Sequence, residues 1–472
     1  MSSAGMNVNQ PVLSFDVLSG ILAFSCSRND LLAMMQVCHT LYRAGIRILL
    51  AEGVDHFSSS TQLASFCLFM TVDLPSRCSM IRKLHIHAGS LWEDEFVPSR
   101  EDVQTFASIL RHATRLNELT LFGGEQLVEK APEVAAAISS LASLRVLTVG
   151  SEDDSECEGI ISALENMQSP IKSLTVCLDP NGSDCGPVPF IRALQANLET
   201  LTINWALWMS ERLASETILC PEVKSISIYD WEQEDINIGT LMKTFPNLRS
   251  LTIDSEVGEG HDSYHPLDGD DDRHRMNLQK DQSQGWPFLK AVCGGICSLY
   301  SLGLARPVNH LTLSAMGLSP HYVDYLSDII LNCKPKRVTI PIPEAELERA
   351  SRSFRDRSID NASFLSYLDL LIKVDKALSS DQIEQMLDHI ALVIHPFSPE
   401  EVTIRLQTQN GAASLATRSY FASEEQQTVI QKIGQKCVAP CKVALSITSD
   451  FKGPGSGEPS FQIAEVAGPH VA

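Results

Sequence analysis

Positive charge is scarce in this sequence. Against 58 Asp and Glu stand 37 Lys and Arg, for a formal net charge of −21 over 472 residues. Nucleic acid and anionic membrane surfaces are held by clustered Lys and Arg, so the balance argues against both as main partner. The same acidity favours a basic protein target. Long apolar runs are missing as well. No stretch of about 18 uncharged apolar residues occurs, and no membrane span is expected. The first dozen residues lack the basic start and apolar core of a secretory signal. The 13 cysteines are odd in number and scattered, which fits reduced, buried thiols in the cytoplasm or nucleus.

Catalytic signatures are absent too. There is no phosphate-binding G-x-x-x-x-G-K-[ST], no G-x-S-x-G, no H-E-x-x-H and no G-x-G-x-x-G followed by a helix. Cys293/Cys297 and Cys437/Cys441 share a C-x-x-x-C spacing, whereas zinc sites use C-x-x-C pairs or more distant His partners. A run at Asp268, Asp270, Asp271 and Asp272 fails the calcium-loop pattern, because Arg273 and Gln279 fall where Gly and Glu are needed. His261, His265 and His274 are too loosely spaced to ligate together. An arginine-finger activator or a thiol enzyme has no supporting motif. The expectation is a protein that is not an enzyme, with no metal and no cofactor.

What the sequence does have is a recurring phrase: aliphatic, two residues, aliphatic, a small hydroxyl residue, aliphatic. It reads LNELTL at Leu116, LRVLTV at Leu144, IKSLTV at Ile171, LETLTI at Leu198, VKSISI at Val223 and LRSLTI at Leu248, with starts 28, 27, 27, 25 and 25 residues apart. A fixed period of this size marks one supersecondary unit per repeat, stacked on its neighbours. The spacing is that of a leucine-rich repeat. Amphipathic helices are predicted between the phrases, over 101–113, 132–141, 159–167, 188–196 and 238–245. Strand plus helix in each unit gives an α/β solenoid, with parallel strands on a concave side and helices on a convex one.

The organisation follows from this rhythm. Residues 1–11 are polar and loose. Residues 12–51 are helical, and 53–80 read as a helical bridge. Repeats fill 81–254, beginning with IRKLHI at Ile81. The polar stretch 255–285 has almost no apolar residues and reads as a disordered acidic insertion. Irregular repeats occupy 286–450, with phrases at Leu299, Val308, Pro335, Leu365, Pro399 and Lys442; the 360–375 segment reads as strand or helix. Residues 451–472 form a Gly/Pro-rich tail.

In the N-terminal segment Leu13, Val17, Leu18, Ile21 and Leu22 fall on one helical face, and Asp30 is a predicted N-cap for a second helix. Three short helices cannot bury enough surface alone and should dock onto something. The segment resembles an F-box. Leu13, Ser14, Asp16, Val17, Leu18 and Ile21 follow the family's opening, with Ser14 where it has proline. Asp30, Leu31 and Leu32 match its D-L-L, Val37 and Cys38 its V-C, and Leu41 and Tyr42 its closing apolar position. F-box plus leucine-rich repeats is similar to the substrate adaptors of SCF-type ubiquitin ligases, and the whole resembles the fungal F-box-like proteins. The resemblance implies binding of a Skp-type linker, and through it a cullin, by Leu13, Leu18, Ile21, Leu31, Val37 and Leu41. It implies a target protein held by the repeats. The alternatives are an N-terminal helical cap, which such solenoids need, and an interaction scaffold unconnected to ubiquitin.

On the concave side the hydroxyl column runs Thr120, Thr148, Thr175, Thr202, Ser227, Thr252, Thr312, Thr339 and Thr403, and Thr belongs in strands for structural reasons. Residues outside that pattern are the candidate target contacts: His85 and His87 on the first strand, then Asn204, Trp205, Tyr229 and Trp231. Trp and Tyr concentrate binding energy.

Overall fold

The computed structural model of the protein describes residues 15–24, 27–57, 59–87, 98–150, 158–177, 188–204, 218–229, 238–254, 270–314, 320–355, 364–397, 399–408, 420, 433, 442–449 and 461–467, in two compact units, Met1–Thr200 and Leu201–Ala472. In the first unit three helices, Phe15–Ala23, Arg28–Met35 and His39–Glu52, precede strands β1 (Val54–Phe57), β2 (Lys83–His87), β3 (Glu118–Phe122), β4 (Val146–Gly150) and β5 (Ser173–Cys177). These pair in sequence order, all parallel. Strand β6 (Thr200–Asn204) falls at the unit boundary.

The second unit contains β7 (Ser225–Tyr229), β8 (Ser250–Asp254), β9 (Ala291–Gly294), β10 (His310–Leu313), β11 (Arg337–Pro343), β12 (Tyr367–Val374), β13 (Glu401–Thr408), β14 (Lys442–Ser449) and β15 (Phe461–Ala467). Strands β7 to β14 again pair in order and in parallel, and β15 closes the series antiparallel to β14. This is the α/β leucine-rich-repeat fold.

The phrase explains why. Its three aliphatic positions are buried in every regular repeat: Leu116, Leu119 and Leu121; Leu144, Leu147 and Val149; Ile171, Leu174 and Val176; and so on to Leu248, Leu251 and Ile253, all at 0–1% exposure. The residues between them alternate outward, as a strand's period of two requires. On the other face helices of successive repeats pack together, Arg100–His112 on Glu133–Ser139, that one on Glu158–Glu165, and so on. Their apolar stripes supply Val103, Phe106, Ile109 and Leu110, then Val134, Ala137 and Ile138.

Register is fixed just before each strand. The carbonyl of Arg82 accepts the N–H groups of both Asn117 and Glu118, at 2.8 and 3.1 Å. Asn117 does the same for Arg145 and Val146, Arg145 for Lys172 and Ser173, and Lys172 for Glu199 and Thr200. In the second unit Lys224, Arg249, Lys290 and Lys336 repeat the arrangement.

Several expectations from the sequence are corrected. The 53–80 segment is largely helical, Ser60–Thr71 and Leu74–Cys78, and it also holds β1, paired to β2; VDHF carries no full L-x-x-L-x-L phrase, so periodicity missed that strand. The Leu299 phrase is not a strand but part of the helix Ile296–Leu302, and the strand there is the short AVCG of β9. The ambiguous 360–375 segment holds β12, and the Gly/Pro-rich tail holds β15. Asp30 is not the N-cap. Ser27 is, accepting the Asp30 N–H at 3.1 Å.

The largest correction concerns 255–285. Residues 255–269 lie outside the described residues, but Asp270–Gln284 is a helix. Its buried face is polar. His274 Nδ1 lies 2.6 Å from the Tyr300 carbonyl, Asn277 Nδ2 donates to the Ser301 carbonyl at 2.8 Å, and Asp281 Oδ2 accepts the Ala305 N–H at 2.6 Å. The last carbonyls of a helix have few partners of their own, and here side chains of one helix add to those of the next: the Tyr300 carbonyl also accepts the Gly303 N–H at 3.0 Å. His274 also stacks on Tyr300 at 4.1 Å, and Tyr300 on Tyr325 at 3.9 Å. Gly303, at φ +61°, lets the chain pass against this helix; a Cβ there would meet the His274 carbonyl and Leu278 nitrogen at 2.7 Å. Apolar counting cannot find a helix docked through hydrogen bonds.

Two outcomes follow. At Gly294 a Cβ would fall 2.0 Å from the Ile253 carbonyl oxygen on β8, a backbone atom with nowhere to go. Gly294→Ala should lower stability by about 1–3 kcal/mol in chemical denaturation. Gly20→Ala, which meets nothing within 4 Å on a helix, should be neutral or gain up to about 1 kcal/mol. At Asp281, burial pushes the carboxyl pKa up, so its charge is a cost in the fold while its acceptor is a gain. Asp281→Ala should cost about 1–3 kcal/mol by orphaning the Ala305 N–H, and Asp281→Asn should cost less. Hydrogen exchange over 270–284 reads both.

Candidate interaction surfaces

Within the N-terminal helices, one set of apolar residues is consumed by internal packing. Leu22, Leu31, Met35, Leu41, Ile46 and Leu50 are 1–6% exposed. The first and second helices pack on the third. Gly45 allows the close approach, since a Cβ there would sit 2.2 Å from Met35 Cγ.

A second apolar set faces outward: Val17 at 47% exposure, Ile21 at 45%, Phe24 at 85%, Leu32 at 40%, Val37 at 73% and Tyr42 at 38%. Val17, Ile21 and Phe24 follow one another at helical spacing, i, i+4 and i+7. Single exposed apolar side chains are ordinary on a protein surface, but concentrations are not. Six of the thirteen large apolar side chains exposed among the described residues stand within 17–42. The expected linker contacts therefore divide. Ile21 and Val37 are exposed, Leu18 is half-buried, Leu31 and Leu41 are packed in the internal core, and Leu13 lies outside the described residues. Periodicity marks an apolar position, not which of two partners it faces.

The expected target contacts also divide. His85 and His87 stand on β2, half-buried, pointing to the side away from the helices. His85 Nε2 lies 3.7 Å from Glu118, which Lys83 also engages at 2.8 Å, and His87 stacks on Phe122 at 4.9 Å. Both histidines thus have neighbours of their own on β3. Asn204 and Tyr229 end β6 and β7, each half-buried, and Trp205 and Trp231 lie outside the described residues.

One cluster on the open side of the sheet was not anticipated. Asp369 of β12 occupies the position at which the repeats carry Thr or Ser: it is in register with Thr339 of β11 and Thr403 of β13. It is 1% exposed, and two arginines hold it. Arg405 of β13 grips the carboxylate with Nε at 2.9 Å and a terminal nitrogen at 2.6 Å. Arg337 of β11 adds a third contact at 2.7 Å. Bidentate, charge-assisted hydrogen bonds of this kind are among the stronger side-chain contacts and compensate the burial of a carboxylate. Beside them His310 Nε2 hydrogen-bonds the Thr339 hydroxyl at 2.9 Å, and burial, followed by the Arg337 charge, lowers its pKa against the opposing pull of Asp369. The sequence held a signal: LSYLDL is the one phrase with a carboxylate in the hydroxyl position.

Four of the described thiols are deeply packed. Burial raises Cys67, Cys220 and Cys333 to about 12 and Cys78 to about 11, so each is protonated at neutral pH. Among the described residues no three His, Cys, Asp or Glu side chains are grouped to hold a metal, and no helix is long and apolar enough to cross a membrane.

No protein-family model and no curated protein matches this sequence. Among solved structures, the chain is similar to the leucine-rich repeat-containing protein LegL7 from Legionella pneumophila, with 12% identity over 76% of this chain and 91% of that one, at a TM-score of 0.32.

Proposed function

We propose that this protein is a non-enzymatic interaction protein: a substrate-recognition adaptor of an SCF-type ubiquitin ligase, whose N-terminal helices bind a Skp-type linker, and through it a cullin, while the repeats hold a target. One observation carries this reading. Within an F-box-like phrase, a self-packed three-helix segment keeps a second apolar set, Val17, Ile21, Phe24, Leu32, Val37 and Tyr42, on the outside. A helical cap needs an apolar face toward the repeats only, and outward apolar surface of this density calls for a partner. The reading places the protein in the cytoplasm or nucleus.

The second reading is a leucine-rich-repeat scaffold outside the ubiquitin system. The repeat fold itself favours it equally, because a stacked parallel sheet presents an extended face without any linker.

A pull-down with a purified Skp-type linker separates the two. Ile21→Asp combined with Val37→Asp should reduce recovered linker by at least about tenfold, since apolar anchors dominate such interfaces. The thermal transition should stay in place, because both side chains are exposed. Leu31→Asp is the contrasting variant: it buries an unpaired charge and should unfold the segment. Equal linker recovery by the wild type and the Ile21/Val37 double variant would leave the scaffold reading standing.

A further inference from the structure

We infer that the open face around Arg337 and Arg405 is a docking surface for an acidic segment of a partner protein, engaged through one carboxylate side chain set beside an apolar residue. The inference rests on the interaction reading of the repeats alone and not on linker binding by the N-terminal helices.

The first support is charge. A structural ion pair on a sheet closes at zero. Here two guanidinium groups share one carboxylate, which leaves the cluster one surplus positive charge. In the row of Arg337 and Tyr367, Glu401 is in register with Lys442, and further along the same face Lys373 is in register with Gln407, so this part of the sheet is positive in a chain whose net charge is −21.

The second support is preorganisation. Arginine side chains lose much rotational freedom when they bind. Asp369, buried at 1% exposure, has already fixed both, and it leaves them 49% and 39% exposed. Arg337 spends a single terminal nitrogen on Asp369, so its remaining N–H groups are not engaged by that carboxylate. A fork fixed in advance is an effective anion receptor.

The third support is what surrounds it. Tyr367 is in register with Arg337 on the adjacent strand and is 48% exposed, and Leu371 is in register with Arg405. A ring and an aliphatic side chain next to a cationic pair fit an apolar residue neighbouring an acidic one. The single surplus charge selects a carboxylate over a phosphate, because a dianion would set an uncompensated negative charge beside the buried Asp369.

The test is fluorescence anisotropy on the full chain at low ionic strength, with a labelled peptide of alternating Asp and Val. Wild type should bind it and not its Asn counterpart. Arg337→Gln leaves the Arg405 fork on Asp369 and should weaken binding about tenfold, the worth of one charge-assisted hydrogen bond. Lys172→Gln, which removes an equal charge from the exposed ion pair with Glu199, should change it less than about twofold. If Arg337→Gln does not fold, Arg337→Lys, which keeps the charge and removes the fork, should still show a loss of binding relative to wild type. Absence of binding by wild type, equal losses in Arg337→Gln and Lys172→Gln, or an undiminished Arg337→Lys would overturn the docking surface. Tighter binding of the phosphoserine version of the peptide would overturn its assignment to a carboxylate.

Discussion

In most of the described repeats one backbone carbonyl, that of the residue before the strand, accepts two N–H groups from the next repeat, as Arg82 does for Asn117 and Glu118. Parallel strands make evenly spaced, slanted hydrogen bonds that do not by themselves mark a register. Two neighbouring N–H groups converging on one oxygen do mark it. Every other feature depends on that alignment. It brings each phrase's aliphatic positions together in a dry layer, and it lines up the positions between them across the open face. A slip by one residue would turn Leu119 outward and Thr120 inward, and the core would be lost.

The same register makes chemistry possible where the sequence shows only scattered residues. Arg337, Asp369 and Arg405 are 32 and 36 residues apart along the chain, yet they meet because β11, β12 and β13 are adjacent and in step. Asp369 stands in a column of small hydroxyl residues. A carboxylate there is nearly buried by its neighbours and requires compensation, which the two arginines provide from either side. The hydroxyl column is thus a scaffold feature, and among its exceptions Asp369 is the one that places a carboxylate there.

Surfaces at the N-terminus obey a different constraint. Helices Phe15–Ala23 and Arg28–Met35 have little area to share, so each can bury only one stripe against His39–Glu52. Leu31 and Leu41 took the inward positions, and Ile21 and Val37 were left outside. The N-terminal segment therefore contains two kinds of apolar residue with the same spelling, some packed inside and some left on the surface.

The repeat class, the strand positions from Ile81 to Ile253 and the helices between them were legible in the sequence. Each follows from local periodicity, and burial of Leu, Ile and Val at fixed spacing dominates the energy of a repeat. Only the tertiary structure decided the rest. It revealed β1 and β9, whose phrases are too short to carry a period, and the helix Asp270–Gln284, which docks through His274, Asn277 and Asp281 rather than through apolar area. It sorted the N-terminal apolar residues into core and surface, and it assembled the Arg337–Asp369–Arg405 cluster. The reason is common to all four. Periodicity reports what a residue does within its own element, while hydrogen bonds and charges between elements depend on which strands and helices become neighbours.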